Sequence, residues 1–305
     1  MAAFPTETVY GLGADASNPA AVAKIFAAKG RPQDHPVIVH LPSIALLSLW
    51  AGEIPAAAHQ LAVAFWPGPL TLILRRAPGV SDAVTGGQDA VGLRIPAHPV
   101  AHALLEKFGG GIAAPSANRF GRVSATTAQH VRQEFGAAVD LVLDGGQSEV
   151  GIESTIVDAT GACPVLLRPG GISAREIEQA AGVPLGAPQA EAPRVPGALA
   201  VHYAPATPLQ VLEGDLLLEL AATLTRQGKR IAVLARSVRR PLLTGLTWIA
   251  APRDPRQYAH DLYSNLRELD AEGCEVILVE RPPRLPEWAA VNDRLGRAAA
   301  GSRLS

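Results

Sequence analysis

A proline- and alanine-rich stretch over residues 182–208 divides this chain of 305 residues into two parts. The stretch has neither helical nor strand periodicity, which is typical of a linker between domains. On both sides of it, short apolar runs alternate with helical patterns, which favours the α/β class. Because 305 residues are more naturally two domains than one, domains are predicted over 1–181 and 209–305.

The first part is predicted to form a mixed sheet with helices, because some predicted strands are adjacent in sequence and can pair antiparallel. The predicted helices cover 19–29, 55–65, 100–108, 125–135 and 172–181. The predicted strands cover 37–40, 71–74, 91–95, 112–114, 141–143, 155–158 and 165–168. Residues 77–89 are predicted to be a glycine-rich loop.

The second part has a more regular alternation, typical of a smaller Rossmann-like domain. Its predicted strands cover 209–212, 231–235, 247–250 and 276–279. Its predicted helices cover 215–227, 255–272 and 287–300, and the middle one carries Tyr258, Leu262, Leu266 and Leu269 on one face.

Composition excludes several classes of protein. A net charge of -1 gives no overall attraction to nucleic acid or to an anionic membrane, so any anion must be bound by local groups. The two cysteines, Cys163 and Cys274, argue against a disulfide scaffold or a zinc site and favour a reducing compartment. No apolar run is long enough for a membrane span, and the N-terminus lacks the features of a signal peptide. We therefore expect a cytoplasmic protein without membrane contact.

Common nucleotide-binding and hydrolase motifs are missing or misplaced. Gly11–Ala16 matches a permissive dinucleotide fingerprint, but the following helix begins only at Ser17–Pro19, so a nicotinamide site is not expected. The sequence has no P-loop, no G-x-S-x-G motif and no H-E-x-x-H motif. If the protein uses ATP, it therefore binds the nucleotide without a P-loop.

Two cations flank the predicted end of the first helix. Lys29 and Arg31 surround Gly30, and Pro32 then directs the chain away from the helix axis. A polyphosphate could contact both cations at this corner. The alternative is a basic helix end that only complements the helix dipole.

Polar side chains collect at the predicted strand ends and in the loops that follow, positions that line one cleft in an α/β sheet. The set comprises Thr6, Thr8, Lys29, Arg31, His35, His40, Arg94, Ser116, Asn118, Ser124, Ser154 and Arg168. The four Lys and Arg residues among them favour an anionic ligand. The alternative is scattered loop polarity in which each residue satisfies its own turn.

Five motifs follow one another along the chain, namely Pro5–Leu12, Lys29–Pro32, Gly92–Pro96, Pro115–Asn118 and Glu153–Thr155. Together they resemble the motifs of the YrdC-type threonylcarbamoyl-AMP synthases. The spaced Lys-x-Arg and Ser-x-Asn pairs are a hallmark of that family. His202–Pro205 and the second domain resemble the long two-domain form, so a YrdC-like twisted mixed sheet is expected in the first domain.

The resemblance implies a nucleotidyltransferase, an L-threonylcarbamoyladenylate synthase. It would make L-threonylcarbamoyl-AMP from L-threonine, bicarbonate or carbon dioxide, and ATP with Mg²⁺, and it would release pyrophosphate. The product would pass to a downstream tRNA threonylcarbamoyl transferase complex.

The resemblance also implies roles for individual residues. Threonine would be held by Thr8, His40, Arg94, Ala114 and Ser154. ATP would be held by Lys29, Arg31, Ser116, Asn118, Ser124 and Arg168, with His35 and Ala90 bordering the nucleotide and Tyr203 closing over it from the linker, which would act as a lid. Catalysis is expected from Lys29, Arg31, Ser116 and Asn118 through positioning and electrostatics, without a metal ligand from a protein side chain.

Two departures from the family pattern and two alternative functions remain. The family usually has a helix and most of a strand before Pro5, so we expect either a missing edge element or a natural start further upstream. Ala90 stands where the family often has Thr, so its contact with the nucleotide would come from the backbone.

The alternative functions are a carbamoyl transferase acting through carbamoyl-adenylate, whose zinc-finger cysteines are absent here, and a double-stranded RNA-binding module. The net charge of -1 weighs against the RNA-binding module, although this charge is compatible with a weak RNA contact in a local groove.

Overall fold

The computed structural model describes residues 1–187, 192–197, 199 and 201–301. The chain divides into two compact units, Met1–Phe120 with Ala125–Ala198 and Gly121–Ser124 with Leu199–Ser305. We call them the N-terminal unit and the C-terminal unit. The predicted linker contributes residues to both, and its residues 188–191, 198 and 200 lie outside the described part of the chain.

The strands of the N-terminal unit are mostly short. They are β1 (Ala2–Phe4), β2 (Gly11–Asp15), β3 (Ile38–His40), β4 (Leu70–Arg75), β5 (Ala90–Arg94), β6 (Ile112–Ala113), β7 (Leu141–Val142), β8 (Thr155–Asp158) and β9 (Val165–Arg168). The helices are α1 (Pro19–Lys29), α2 (Leu47–Trp50), α3 (Ala56–Phe65), α4 (Asp82–Thr85), α5 (Pro99–Phe108), α6 (Ala128–Phe135) and α7 (Ala174–Ala181), with 3-10 turns at Ile44–Leu46 and Gly136–Ala138.

Within the described residues, these strands form one nine-stranded sheet in the order β7-β1-β2-β6-β3-β5-β4-β8-β9. The pairs β1/β7, β3/β5 and β4/β8 are parallel, whereas β1/β2, β2/β6, β3/β6, β4/β5 and β8/β9 are antiparallel. The predicted mixed sheet is therefore confirmed, including the predicted pairing of 155–158 with 165–168. Strand β1 pairs on both sides, so it is an interior strand of this sheet.

One face of the sheet lies against the main apolar core. This core joins strand residues such as Leu12, Val39 and Leu93 to apolar residues of α1 and α3, including Ile25 and Leu61. Because side chains alternate between the two faces of a strand, the neighbours of these strand residues must point to the opposite face. That opposite face carries the candidate site.

Helix α1 begins and ends as its sequence predicts. The side chain of Asn18 caps the helix by accepting hydrogen bonds from the backbone N–H groups of Ala20 (3.0 Å) and Ala21 (3.2 Å), and Pro19 occupies the first helical position. Gly30 ends the helix in the left-handed region with φ 63°. Lys29 is therefore the last helical residue, and Arg31 lies on the loop that follows the helix.

Two element predictions differ from the structure by more than two residues. Residues 77–89 are not all loop, because Asp82–Thr85 form the short helix α4, in which the Ser81 side chain accepts from the backbone N–H of Ala83 at 3.2 Å. The helix predicted to begin at residue 125 begins at Ala128, because the Thr127 side chain accepts from the backbone N–H of His130 and acts as the cap.

The C-terminal unit contains β10 (Leu209–Leu212), α8 (Gly214–Arg226), β11 (Ile231–Ala235), β12 (Leu246–Ala250), α9 (Pro255–Ala271), β13 (Val276–Glu280), a 3-10 turn at Pro286–Trp288 and α10 (Ala289–Gly301). Its described strands form a four-stranded parallel sheet in the order β10-β13-β11-β12. An apolar core that includes Leu217, Ile231, Val233 and Leu278 packs α8 against the sheet. The predicted Rossmann-like α/β class is confirmed for this unit. Among the described residues, no helix combines the length and the apolar character that crossing a membrane requires.

Candidate active site

Polar side chains occupy the centre of the sheet face that points away from the main core. The register pairs His40 on β3 with Arg94 on β5. Their neighbours Val39 and Leu93 belong to the main core, so alternation places His40 and Arg94 together on the opposite face. The site therefore lies on a sheet face as well as in the loops at strand ends.

Arg94 is held in one orientation by three groups of the N-terminal unit. Its Nη1 donates to Thr8 Oγ1 at 2.7 Å, and its Nε donates to the Gly68 carbonyl at 3.1 Å. Its Nη2 lies 2.7 Å from Glu7 Oε1, and both side chains of this ion pair are buried. The other carboxylate oxygen of Glu7 accepts from the Ala97 N–H at 3.1 Å. The positive charge of Arg94 is thus compensated in place.

His40 is buried beside Arg94 and is neutral near pH 7. Burial, followed by the positive charge of Arg94, lowers the pKa of the imidazole to about 3. The ring meets Phe4 edge to face, with centroids 6.1 Å apart. Its Nδ1 atom is buried and has no hydrogen-bond partner among the described residues. A polar ligand atom could satisfy this nitrogen.

A second cluster of polar side chains surrounds Ser154, which immediately precedes β8. Its hydroxyl lies 2.8 Å from Thr71 Oγ1 on the neighbouring strand β4. Arg168 donates to the Ser154 carbonyl through Nε at 3.1 Å and through Nη2 at 2.9 Å. Its Nη1 donates to the Pro196 carbonyl at 2.7 Å. Arg168, a predicted ATP contact, therefore orients Ser154, a predicted threonine contact, and also contacts the middle of the predicted linker at Pro196.

Lys29 ties the end of α1 to the loop after β6. Its ammonium donates to the Ser116 carbonyl at 2.6 Å and to the Asn118 carbonyl. Burial, with a further effect of the positive charge of Arg31, lowers the pKa of Lys29 well below its ordinary value. The carbonyl of Lys29 accepts from the Phe120 N–H at 2.8 Å, which fixes the same loop a second time.

The backbone of Ala114 links the segment that carries Ser116 to strand β3, which carries His40. The Ala114 N–H donates to the Ile38 carbonyl at 2.9 Å. Ala114 thus lies two residues before Ser116 in the chain, and its partner lies two residues before His40. The side-chain amide of Asn118 donates to the Arg119 carbonyl at 2.8 Å, so in this structure it stabilises its own turn.

Arg31 and His35 lie on the loop that follows α1. Arg31 Nη2 donates to the Pro36 carbonyl at 2.8 Å, and its guanidinium lies 5.9 Å from the centroid of the Phe26 ring. The ring of His35 contacts Phe120 edge to face at 5.5 Å. Burial, together with the charge of Arg31, lowers the pKa of His35 below its ordinary value.

Ala90 borders an apolar patch on the same sheet face. It packs on a small cluster formed by Ile38, Ile73, Ile156 and Val195. Val195 comes from residues 192–197 of the predicted linker. This patch offers no polar side chain at position 90, as the sequence implies.

Ser124 and Tyr203 belong to the C-terminal unit. Tyr203 has a φ of 61°, which is unusual for a residue other than glycine. Its ring stacks on Tyr263 of α9 with centroids 5.7 Å apart, and the Arg294 guanidinium lies 5.2 Å from its centroid. The predicted closing of Tyr203 over the nucleotide stays a prediction.

Comparisons with known proteins match the whole chain. Residues 1–170 match the Sua5_yciO_yrdC family model, described as telomere recombination, and residues 172–300 match a model described as the threonylcarbamoyl-AMP synthase C-terminal domain. A threonylcarbamoyl-AMP synthase of Pyrococcus abyssi (strain GE5 / Orsay) is 40% identical over 318 residues, covering 100% of this chain and 91% of the relative. The chain belongs to the threonylcarbamoyl-AMP synthase family.

Other members and structures agree with this membership. The threonylcarbamoyl-AMP synthase of Bacillus subtilis (strain 168) is 40% identical over 99% of this chain and 90% of the relative. The crystal structure of P. abyssi Sua5 complexed with L-threonine matches with a TM-score of 0.90 at 39% identity, covering 99% of this chain and 91% of that chain. The predicted membership of the long two-domain form of the threonylcarbamoyl-AMP synthases is confirmed.

Two residues of the site, Glu7 and Thr71, are not predicted by the sequence. Glu7 lies inside a recognised motif, but nothing local indicates that it pairs with Arg94, which is far away in sequence. Thr71 was predicted only as part of a strand, and its bond to Ser154 depends on the β4/β8 pairing. In both cases the missing information was the partner across the sheet.

Proposed function

We propose that this threonylcarbamoyl-AMP synthase family member makes L-threonylcarbamoyl-AMP from L-threonine, bicarbonate or carbon dioxide, and ATP. The observation that carries this proposal is the full-length relationship to the P. abyssi protein, whose crystal structure contains L-threonine. The product would serve threonylcarbamoyl modification of tRNA by a downstream transferase, in the cytoplasm. A carbamoyl transferase or a non-catalytic RNA-binding module is less well supported, because neither accounts for the match of both family models.

The reaction consists of two bond-forming steps. The amine of threonine adds to carbon dioxide and loses a proton to give a carbamate. A carbamate oxygen then attacks the α-phosphorus of ATP, and the bond to the bridging oxygen of the β-phosphate breaks to release pyrophosphate. The protein has to orient two anions and to stabilise the additional charge on the phosphates, which is work for fixed cations and N–H groups.

The threonine would be held by Thr8, His40, Arg94, Ser154 and the backbone at Ala114. The rigid guanidinium of Arg94 suits a carboxylate, and Thr8 is already fixed to it at 2.7 Å. The buried Nδ1 of His40 offers a neutral polar contact on the same sheet face. These contacts support a small amino acid ligand with one carboxylate.

The triphosphate would be held by Lys29, Arg31, Ser116, Asn118, Ser124 and Arg168. His35 and Ala90 would border the nucleotide, and Tyr203 would close over it. In the free protein the buried Lys29 ammonium is stabilised by two carbonyl groups, and its pKa is lowered. A phosphate beside it would favour the charged form and raise that pKa, so ATP binding and protonation of Lys29 would support one another.

Mg²⁺ would enter as the complex with ATP. Among the described residues, no three His, Cys, Asp or Glu side chains are grouped so that they could hold a metal ion. We expect phosphate oxygens and water as the ligands of the ion, because Mg²⁺ prefers oxygen ligands and retains bound water. Bound in this way, the ion would neutralise charge on the leaving pyrophosphate.

The test of this function is pyrophosphate release by the full chain. Release should require both L-threonine and bicarbonate in addition to ATP. Release that continues without threonine, or no release at all, would contradict the proposal.

A double variant tests the phosphate contacts directly. Lys29→Ala with Arg31→Ala should lower turnover by about 100-fold or more, because each charge-assisted contact contributes about 1.5–3 kcal/mol. Lys24→Ala, an exposed position on the same helix, is the matched control and should retain activity. Circular dichroism of each variant checks that the fold is retained, and near-normal turnover of a folded double variant would remove this assignment.

A further inference from the structure

Four residues inside the N-terminal part of the sequence belong to the C-terminal unit. The chain up to Phe120 and from Ala125 packs in the N-terminal unit, whereas Gly121–Ser124 group with residues after 199. We call these four residues the 121–124 segment. It begins three residues after Asn118 and ends in Ser124, so it carries part of the proposed ATP site.

Arg267 on α9 holds the end of this segment. Its Nε donates to the Ser124 carbonyl at 3.1 Å, and its Nη2 donates to the Val123 carbonyl. A guanidinium is planar, so two N–H groups directed at successive carbonyls fix the orientation of the peptide between them. The direction of the Ser124 side chain is thereby restricted.

The start of the segment is paired with the chain that follows Tyr203. The Gly121 carbonyl accepts from the Ala204 N–H at 2.8 Å, and Arg122 and Ala204 form a parallel bridge. Two residues further on, the N–H groups of Ala206 and Thr207 donate to Asp270, at 2.9 Å and 2.7 Å.

The contacts to the 121–124 segment and to the chain around Tyr203 and Ala204 come from one face of α9. Tyr263, Arg267 and Asp270 are separated by four and three residues, a spacing that places side chains in one row on a helix. Tyr263 stacks on Tyr203, Arg267 holds the 121–124 segment, and Asp270 holds the chain after Ala204. One row of α9 therefore orders both segments that carry proposed nucleotide contacts of this unit.

We infer that Arg267 is a positioning residue for ATP, which fixes the Val123–Ser124 peptide before the nucleotide binds. This inference rests on the proposed function. A segment that is already ordered binds its ligand without the entropy loss of being ordered at that moment, so the benefit is an improved affinity for ATP. Threonine does not depend on the 121–124 segment in the proposed site, so its affinity should be independent of Arg267.

The test compares Arg267→Ala with the wild type in the full chain. The KM for ATP should rise about tenfold, in line with the loss of hydrogen bonds from a charged group. The KM for threonine at saturating ATP should stay unchanged. Arg267→Lys, which retains a charged donor, should give an intermediate KM for ATP. The control is Arg256→Ala, an exposed position on the same helix, which should leave both constants unchanged.

Hydrogen–deuterium exchange of the ligand-free protein supplies an independent readout. Peptides that cover 121–124 should exchange faster in Arg267→Ala, whereas those that cover α1 should not change. If Arg267→Ala does not fold, Arg267→Gln replaces it, because the Gln amide can still donate one hydrogen bond.

The outcomes separate this inference from the proposed function. An inactive wild type would contradict the proposed function, and the exchange measurement would still decide whether Arg267 orders the segment. An unchanged KM for ATP together with unchanged exchange would overturn the inference alone. Equal rises of the KM for ATP and for threonine would also overturn it, since they would indicate a general structural role.

Discussion

Glu7 is the least expected residue of the sheet face, because it places a carboxylate where the substrate carboxylate is proposed to bind. It lies 2.7 Å from Arg94 Nη2 and also accepts from the Ala97 N–H. A single buried guanidinium would then have two anionic neighbours when threonine is present. Threonine binding should consequently be sensitive to the charge of Glu7 and not only to that of Arg94.

Removing this charge gives opposite effects on stability and on threonine binding. Glu7→Gln should lower the free energy of unfolding of the free protein by about 1–3 kcal/mol, because Arg94 loses its buried counter-ion. The threonine carboxylate can replace the lost charge, so saturating threonine should raise the melting temperature of this variant more than that of the wild type.

Thermal unfolding with and without threonine measures both effects, and Glu53→Gln, at an exposed position, is the control. A smaller threonine-induced shift in Glu7→Gln would contradict the idea. It would indicate that Glu7 itself binds the ligand, for example through the ammonium group of threonine.

His40 makes the stability of the N-terminal unit depend on pH. Its pKa is about 3 in the folded protein, because of burial and Arg94, and about 6.5 in an unfolded chain. Between these values the unfolded chain binds the proton and the folded protein does not. The free energy of unfolding should therefore fall as the pH is lowered from 6.5 towards 3, by up to about 1.4 kcal/mol per pH unit.

Denaturant unfolding at several pH values tests this expectation. His40→Gln should flatten the decline between pH 6.5 and pH 4, whatever its stability at neutral pH. His59→Gln, at an exposed position on α3, is the matched control. Parallel curves for the wild type and His40→Gln would show that His40 does not titrate in this way.

At the scale of elements, the sequence predicts the helix boundaries that depend on neighbouring residues. Helix α1 starts at Asn18 and Pro19 and ends at Gly30. Both boundaries depend on residues within one turn, so the sequence predicts them. The short helix α4 was hidden in a stretch that looks like a glycine-rich loop, because four residues are too few to show a period. The residue types of the site were likewise readable from motifs along the chain.

The arrangement between elements could not be read in the same way. The order β7-β1-β2-β6-β3-β5-β4-β8-β9 depends on pairings between distant strands, and these pairings bring His40 next to Arg94 and Thr71 next to Ser154. Strand alternation then selects the face, which moves the site from strand ends alone to the surface of the sheet. The grouping of 121–124 with α9 is equally non-local, since Arg267 is 143 residues away from Ser124.

At the scale of the whole molecule, each unit has its own apolar core, but the proposed ATP residues come from both. Lys29, Arg31, Ser116, Asn118 and Arg168 belong to the N-terminal unit, whereas the 121–124 segment belongs to the C-terminal unit. Residues 192–197 belong to the N-terminal unit as well, and Arg194 bonds to Asp34 and to the Gly86 carbonyl there. Two truncations can therefore separate these contributions.

A chain that ends at residue 197 should retain the fold of the N-terminal unit and its affinity for threonine, because the main core and Arg94 are intact. Its Kd for ATP should be about tenfold or more above that of the full chain, because the 121–124 segment loses its partners. A chain that ends at Gly182 also lacks Val195 and the Pro196 carbonyl that Arg168 contacts. It should bind ATP more weakly than the longer fragment, and titration calorimetry with ATP and with threonine measures both. If the fragment 1–197 binds ATP as tightly as the full chain, the C-terminal unit makes no contribution to the nucleotide site, and Arg267 loses its proposed role as well.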